Sequence, residues 1–262
     1  MIGIFTDLDS TLIYSGSSFD IHRKGLAGIA PLCVEHKSDG TPITYMTYES
    51  RQMLSRLLSD DNVMVIPVTA RNLEQTKRVD FTSECKVWVC ESGTSVYING
   101  EPDTEWDKIV DCLVDRETVA KDVNTLKHMC LGGVIAPRKI LCDGNVCIFL
   151  SFDTNQAIIA DMQTIHAGLK GNYTTYIHKN KVYLMTAGFG KHLAVMYLKK
   201  KYGMDMTYGA GDSRMDLSFL SCCKHRYQPR HSDTIQATSK LTVNNGILAS
   251  DEILKMIIKD IY

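Results

Sequence analysis

The sequence predicts an α/β fold, a Rossmann-like parallel sheet core interrupted by an inserted α+β domain. Three observations predict it. Short apolar, β-branched runs at residues 2–6, 63–68, 87–90 and 206–211 alternate with stretches of helical periodicity, the pattern of a parallel sheet. Three of these runs end in charged or hydroxyl residues: Asp7 and Asp9, then Thr69, then Asp212. The strand–helix alternation breaks near Gly100-Glu101-Pro102-Asp103 and resumes at Gly188. The core is therefore expected at 1–102 and 187–262, and the insertion at 103–186.

In chain order, the opening strand is followed by a Gly/Ser-rich stretch through Gly28. Two β-prone runs, 32–36 and 43–47, flank Asp39-Gly40 and read as a hairpin. A helix after Thr47 carries Met53, Leu54, Leu57 and Leu58 on one face and stops before Asp60. The strand at 63–68 runs into Thr69-Ala70-Arg71-Asn72, with a helix expected through Gln75 and Val79, and the strand at 87–90 runs into Glu91-Ser92-Gly93. The insertion reads as helices at 106–113 and 118–130, a strand at 146–150, a helix at 154–169 capped by Asp153, and a hairpin about Asn180-Lys181. Gly190-Lys191 then opens a helix, and the strand at 206–211 ends at Asp212. A short helix at 217–220, a strand at 241–243 and a closing helix at 251–262 complete the core.

Composition narrows the function classes. The 262 residues are 44% apolar and 23% charged with a net charge of −1, ordinary globular values that give no overall field for nucleic acid or an anionic membrane. Lys199-Lys200-Lys201, the densest basic run, suits a helix C-terminus, where cations complement the dipole. Nine cysteines, an odd number without paired zinc spacing or a preceding secretory signal, are expected to be thiols in a reducing cytoplasm. No apolar run approaches the roughly 20 residues that span a bilayer.

Taken alone, Asp7-Leu8-Asp9 reads equally as a site or as an Asx turn after a buried strand. The other loops change that balance. If the strands are parallel, Asp7, Asp9, Thr69, Lys191, Asp212 and Asp216 converge on one edge of the sheet, where open α/β folds bind ligands. A set of carboxylates with one lysine and one hydroxyl, lacking His and Cys, is a hard-oxygen environment suited to Mg²⁺. Magnesium takes substrate phosphate as a further ligand, so the set points to phosphoryl transfer.

At these residues the chain resembles the haloacid dehalogenase superfamily of aspartate-nucleophile phosphatases. Phe5-Thr6-Asp7-Leu8-Asp9-Ser10-Thr11 matches its first motif, Val68-Thr69 its second, Gly190-Lys191 its third, and Gly211-Asp212-Ser213-Arg214-Met215-Asp216 its fourth. The insertion stands between the second and third motifs. There the branch that includes sucrose-phosphate phosphatase, phosphomannomutase and the Cof-type sugar phosphatases carries a large α/β cap.

The resemblance implies a catalytic core with an inserted cap domain, and an aspartyl-phosphate mechanism. On that resemblance Asp7 would be the nucleophile and Asp9 the general acid and base. Lys191 would neutralise charge, and Thr69 would hydrogen-bond a phosphoryl oxygen. Mg²⁺ would be held by Asp7, the Asp9 carbonyl and Asp212, with Asp216 as ligand or orienter. Ala70, Arg71 and Ser213 join Thr69 and Lys191 on the substrate side; for Arg71 a structural ion pair is the alternative. Met215 stands where many members of the branch carry Asn. Glu91-Ser92-Gly93 matches a structural turn, and the cap offers Arg138, Lys139, His178 and Lys179 as polar candidates for leaving-group contacts. The expected activity is hydrolysis of a small sugar phosphate or related metabolite, with no nucleic-acid or membrane partner and no oligomeric state assigned. A phosphotransferase or mutase, or a phosphate-ester-binding regulatory module, is the alternative on the same scaffold.

Overall fold

The structure, a computed structural model, describes residues 1–17, 29, 31–142 and 144–262. The Gly/Ser-rich stretch expected through Gly28 lies largely outside the described residues. The chain divides into two compact units, one of Met1–Asp103 with Lys191–Tyr262 and one of Thr104–Gly190.

The first unit opens with β1 (Ile2–Thr6), a short β2 (Tyr14–Ser15), the hairpin β3 (Pro31–His36) and β4 (Pro42–Thr47), and α1 (Tyr48–Leu58). It continues through β5 (Val63–Pro67), α2 (Leu73–Lys77), β6 (Val87–Cys90), β7 (Ser95–Ile98) and β8 (Glu101–Pro102). The second unit holds α3 (Thr104–Leu113), α4 (Arg116–Leu131), β9 (Lys139–Leu141), β10 (Cys147–Ser151), α5 (Asn155–Gly168), β11 (Tyr173–His178) and β12 (Lys181–Thr186). The chain returns to the first unit with α6 (Lys191–Lys201), β13 (Met206–Ala210), α7 (Leu217–Ser221), β14 (His225–Gln228), β15 (Lys240–Leu241) and α8 (Ile247–Ile261).

The first unit is built on an all-parallel sheet of order β15-β14-β13-β1-β5. A parallel bridge from Val68 to Val89 carries β6 alongside β5, and β6 also starts an antiparallel β6-β7-β8 sheet. Strand β1 lies between two neighbours under helices, so nearly every residue in it is buried and its sequence is continuously apolar. Ile4, Val65 and Tyr208 of the sheet pack with Leu54 and Leu57 of α1 and with Ile253, Leu254 and Ile257 of α8. Ala194, Val195 and Leu198 of α6 and Phe219 and Leu220 of α7 are also buried. Thr47 caps α1 by accepting the Ser50 N–H, which explains why that helix starts where the sequence places it.

Three expectations are corrected. Helix α2 ends at Lys77, because Val79 turns inward to full burial and a 3₁₀ turn at Asp80–Glu84 follows. Thr154, not Asp153, caps α5 by accepting the Ala157 N–H. The closing helix starts at Ile247, four residues before Asp251, with Gly246 at φ +61° bending the chain into it.

In the second unit, an antiparallel sheet of order β11-β12-β10-β9 has Ile148, Leu150, Val182 and Leu184 buried, together with Val123 and Leu126 of α4 and Ile158 and Ile165 of α5. Asp122 is buried there and accepts from Lys170 N, Gly171 N and the Tyr173 hydroxyl at 2.9, 2.8 and 2.8 Å. Three donors make this carboxylate a structural tie. Among the described residues no helix is long and apolar enough to cross a membrane.

Candidate active site

Parallel register determines what meets at the carboxyl edge of the central sheet. Thr6 pairs with Pro67 on one side and Ala210 on the other, so Asp7, Val68 and Gly211 leave the sheet at one level. Asp7, Thr69 and Asp212 therefore follow on adjacent strands. The backbone ties continue past the strands: Asp7 N donates to Ala210 O and Val68 N to Thr6 O, each at 2.8 Å.

Asp7, Asp212 and Asp216 form a buried cluster in which a ligand oxygen from each lies within 4.8 Å of the others. Lys191, at the start of α6 and only 3% exposed, donates to Asp7 Oδ1 at 2.7 Å and to Asp216 Oδ1 at 2.6 Å. The two oxygens of Asp216 have separate partners, since Oδ2 accepts the Ser213 N–H at 2.9 Å and its hydroxyl at 2.7 Å. Asp216 thus orients Lys191 and closes the fourth-motif loop. It stands at the N-cap of α7 without making a side-chain cap bond. Gly211 permits this closure: a Cβ added there would lie 2.6 Å from Asp216 Cβ.

One ammonium among three carboxylates leaves the cluster short of positive charge. Burial pushes Asp7 up to about 7, with Lys191 opposing and Asp216 assisting. Burial, then Asp7 and Asp216, holds Asp212 well above the usual carboxylate range. Burial alone would lower Lys191, but Asp216 and Asp7 outweigh it and keep the ammonium charged. Buried, hard oxygen donors whose ionisation lacks a counter-charge fit a divalent cation such as Mg²⁺.

Asp9 sits in a different setting. Its side chain is 54% exposed and bound in fork geometry by Arg71, Nε to Oδ2 at 2.7 Å and Nη2 to Oδ1 at 2.8 Å. Arg71 is held in turn by Glu35 of β3, Nη1 to Oε2 at 2.9 Å, and Glu35 also binds Arg78 and the Thr44 hydroxyl. The guanidinium therefore makes an ion pair that ties the hairpin, the second motif and Asp9 together. Thr69 is buried, and its Oγ1 accepts the Arg71 N–H at 3.1 Å, which leaves the hydroxyl hydrogen to donate elsewhere. The helix that follows is capped by Asn72.

Glu91, Ser92 and Gly93 have φ of +53°, +58° and +103°, an unusual run of left-handed conformations. The turn holds the Thr69–Arg71 segment: Glu91 N donates to Arg71 O and Ser92 N to Thr69 O. Ala70 is exposed beside it. In the fourth motif, Met215 is partly buried and Arg214 exposed. Arg138, Lys139, His178 and Lys179 all lie in the second unit; the first two and Lys179 are exposed and His178 is partly buried. Sequence reasoning missed Glu35 and Thr11, whose Oγ1 reaches Asp212 Oδ1 at 3.5 Å. Glu35 had a signal, since a carboxylate inside a β-prone run requires a partner.

The model of the sucrose-6F-phosphate phosphohydrolase family matches residues 2–226. No curated protein matches the sequence. Among solved structures, the sucrose-phosphatase of Synechocystis sp. PCC6803, in complex with sucrose and phosphate, superposes with a TM-score of 0.61 at 14% identity, covering 98% of this chain and 97% of that one. A subclass IIB sugar phosphatase of the haloacid dehalogenase superfamily gives 0.64 at 10% identity over 100% of both chains. The C-terminal domain of C. albicans trehalose-6-phosphate phosphatase gives 0.67 at 11% identity over 100% of this chain and 93% of that one. These likenesses show the shared fold. With the family model covering most of its length, the chain belongs to the sucrose-6F-phosphate phosphohydrolase family and is a phosphatase of the haloacid dehalogenase superfamily.

Proposed function

We propose that this phosphatase is a Mg²⁺-dependent hydrolase of a small sugar phosphate that works through an aspartyl-phosphate on Asp7. The observation that carries the reading is the buried cluster of Asp7, Asp212 and Asp216 around Lys191. Asp7 and Asp212 would hold the cation with the Asp9 carbonyl, and Mg²⁺ when bound offsets charge on the phosphate and the carboxylates.

Asp7 Oδ1 is taken by Lys191, and Oδ2 carries no hydrogen bond from the described residues, which leaves it to attack phosphorus in line. The P–O bond to the sugar breaks as the Asp7–phosphorus bond forms, and water then returns the carboxylate and releases phosphate. Lys191, positioned by Asp216, stabilises the oxygens on phosphorus, and the Thr69 hydroxyl donates to one of them. Asp9 gives a proton to the departing sugar oxygen and later takes one from water. For that, Arg71 must release it, because both Asp9 oxygens are engaged by the guanidinium. Arg71, freed, has an anionic ester to bind.

The nine cysteines, an odd number without paired spacing, support a reducing, cytoplasmic setting. The test is a panel of phosphate esters assayed with and without Mg²⁺, with Asp7→Asn as control. Metal-dependent phosphate release that disappears in the variant is the expected result. Turnover retained in Asp7→Asn rejects Asp7 as nucleophile, and phosphate appearing on an added sugar acceptor identifies a phosphotransferase.

A further inference from the structure

The segment after β14 takes no part in the proposed chemistry, yet it touches two of the loops that do. Asp233 N donates to the Asp212 carbonyl at 3.1 Å. His231 Nε2 lies 2.9 Å from the Ser10 carbonyl oxygen, one residue past Asp9. The other ring nitrogen, Nδ1, lies 3.1 Å from the Gly246 amide nitrogen at the start of α8. These two partners define the ring's proton. A backbone N–H only donates, so Nδ1 accepts; a carbonyl only accepts, so Nε2 carries the hydrogen and donates it. His231 is a neutral bridge between the first-motif turn and the last helix.

The carbonyl it holds belongs to a turn under strain. Ser10 has φ +62°, a left-handed conformation that residues bearing a side chain rarely adopt. Ser10 N donates to Ile13 O at 2.8 Å, and Leu12 N and Ile13 N both donate to Leu8 O at 2.9 Å, so the turn is tight on its inner side. His231 supplies the bond to the Ser10 carbonyl. The ring is seated by Tyr14, edge-on with centroids 5.8 Å apart, and the Tyr14 hydroxyl donates to Thr11 O of the same turn. The segment itself is fixed: Arg230 N donates to Thr242 Oγ1 at 2.9 Å, and Ser232 donates twice to Pro229 O.

We propose that His231 is a positioning residue for Asp9: by donating to the Ser10 carbonyl it holds the left-handed turn that sets where the Asp9 carboxyl can reach. This rests on the phosphatase reading, in which Asp9 protonates the leaving group.

The experiment compares wild type, His231→Ala and His231→Gln, which keeps an N–H donor, as full-length proteins. Hydrogen exchange in a peptide spanning the first-motif turn is expected to speed up at least about tenfold in His231→Ala, with β5 unchanged, and to recover in His231→Gln. In single-turnover kinetics, which read release of the leaving group, His231→Ala is expected to lose about 10- to 100-fold on an alkyl sugar phosphate, with little change in the substrate concentration at half-maximal rate. On p-nitrophenyl phosphate, whose leaving group departs without a proton, that first step stays within about threefold, because Asp9 is needed there only as the base of the later hydrolysis. Unchanged exchange, or equal loss in the first step on both substrates, overturns the proposal. A wild type inactive on every ester fails the phosphatase reading itself, while the exchange measurement still decides whether His231 holds the turn.

Discussion

Asp7 and Asp9 leave the same strand two residues apart and end in opposite surroundings, one buried against an ammonium, the other half-exposed on a guanidinium. Their substitutions should differ accordingly. Asp7→Asn keeps the shape and removes the attacking oxygen; turnover is expected to fall by at least about 10³-fold on every ester, with far-ultraviolet circular dichroism unchanged. In single-turnover release of the leaving group, Asp9→Asn is expected to lose about 10²–10⁴-fold on an alkyl sugar phosphate and much less on p-nitrophenyl phosphate. A loss in that step that ignores leaving-group acidity would remove Asp9 as the acid for the leaving group.

At the scale of elements, two contacts join the working loops to the scaffold. Glu35 is buried in β3 and anchors Arg71 and Arg78 across from the hairpin. Removing Glu35 takes one of two carboxylate partners from Arg71 and leaves the buried Thr44 hydroxyl without its acceptor, so Glu35→Ala is expected to cost about 1–3 kcal/mol in denaturant unfolding. Gly211 follows β13 where the chain must pass close to Asp216. In Gly211→Ala the new Cβ displaces Asp216 and with it Lys191. We expect a stability loss of about 1–3 kcal/mol and a fall in kcat that exceeds what the loss of folded protein explains, read by activity well below the melting temperature.

For the whole molecule, the uncompensated carboxylates couple stability to pH and metal. Asp7 is pushed up to about 7 in the fold from an ordinary value of 3.8. The folded state therefore binds its proton more tightly, and that contribution to stability is present below about 4 and lost as pH rises through about 7. Asp212 is shifted in the same direction. A divalent cation replaces the missing charge once these carboxylates ionise. The increase in melting temperature on adding Mg²⁺ to chelator-treated protein should therefore be small at pH 5 and large at pH 8, read by calorimetry. An increase that does not depend on pH would contradict the cluster as the metal site.

The α/β class, the order of most strands and helices, and the residues that gather at the sheet edge are legible in the amino-acid sequence. Apolar runs that stop abruptly at Asp7, Thr69 and Asp212 carry that information locally, and parallel pairing does the rest. Strand β14 escaped because His225-Arg226-Tyr227-Gln228 has no apolar alternation; it is a strand because it pairs with β13, with Tyr227 stacked near Tyr208. How the charges are shared emerges only in the folded chain. Arg71 chooses Asp9 and Glu35, Asp216 takes Lys191 and Ser213, and His231 reaches Ser10 from 221 positions away. Ion pairs and hydrogen bonds depend on distances of a few ångströms between groups far apart in the chain, and those distances exist only once the sheet has set its register.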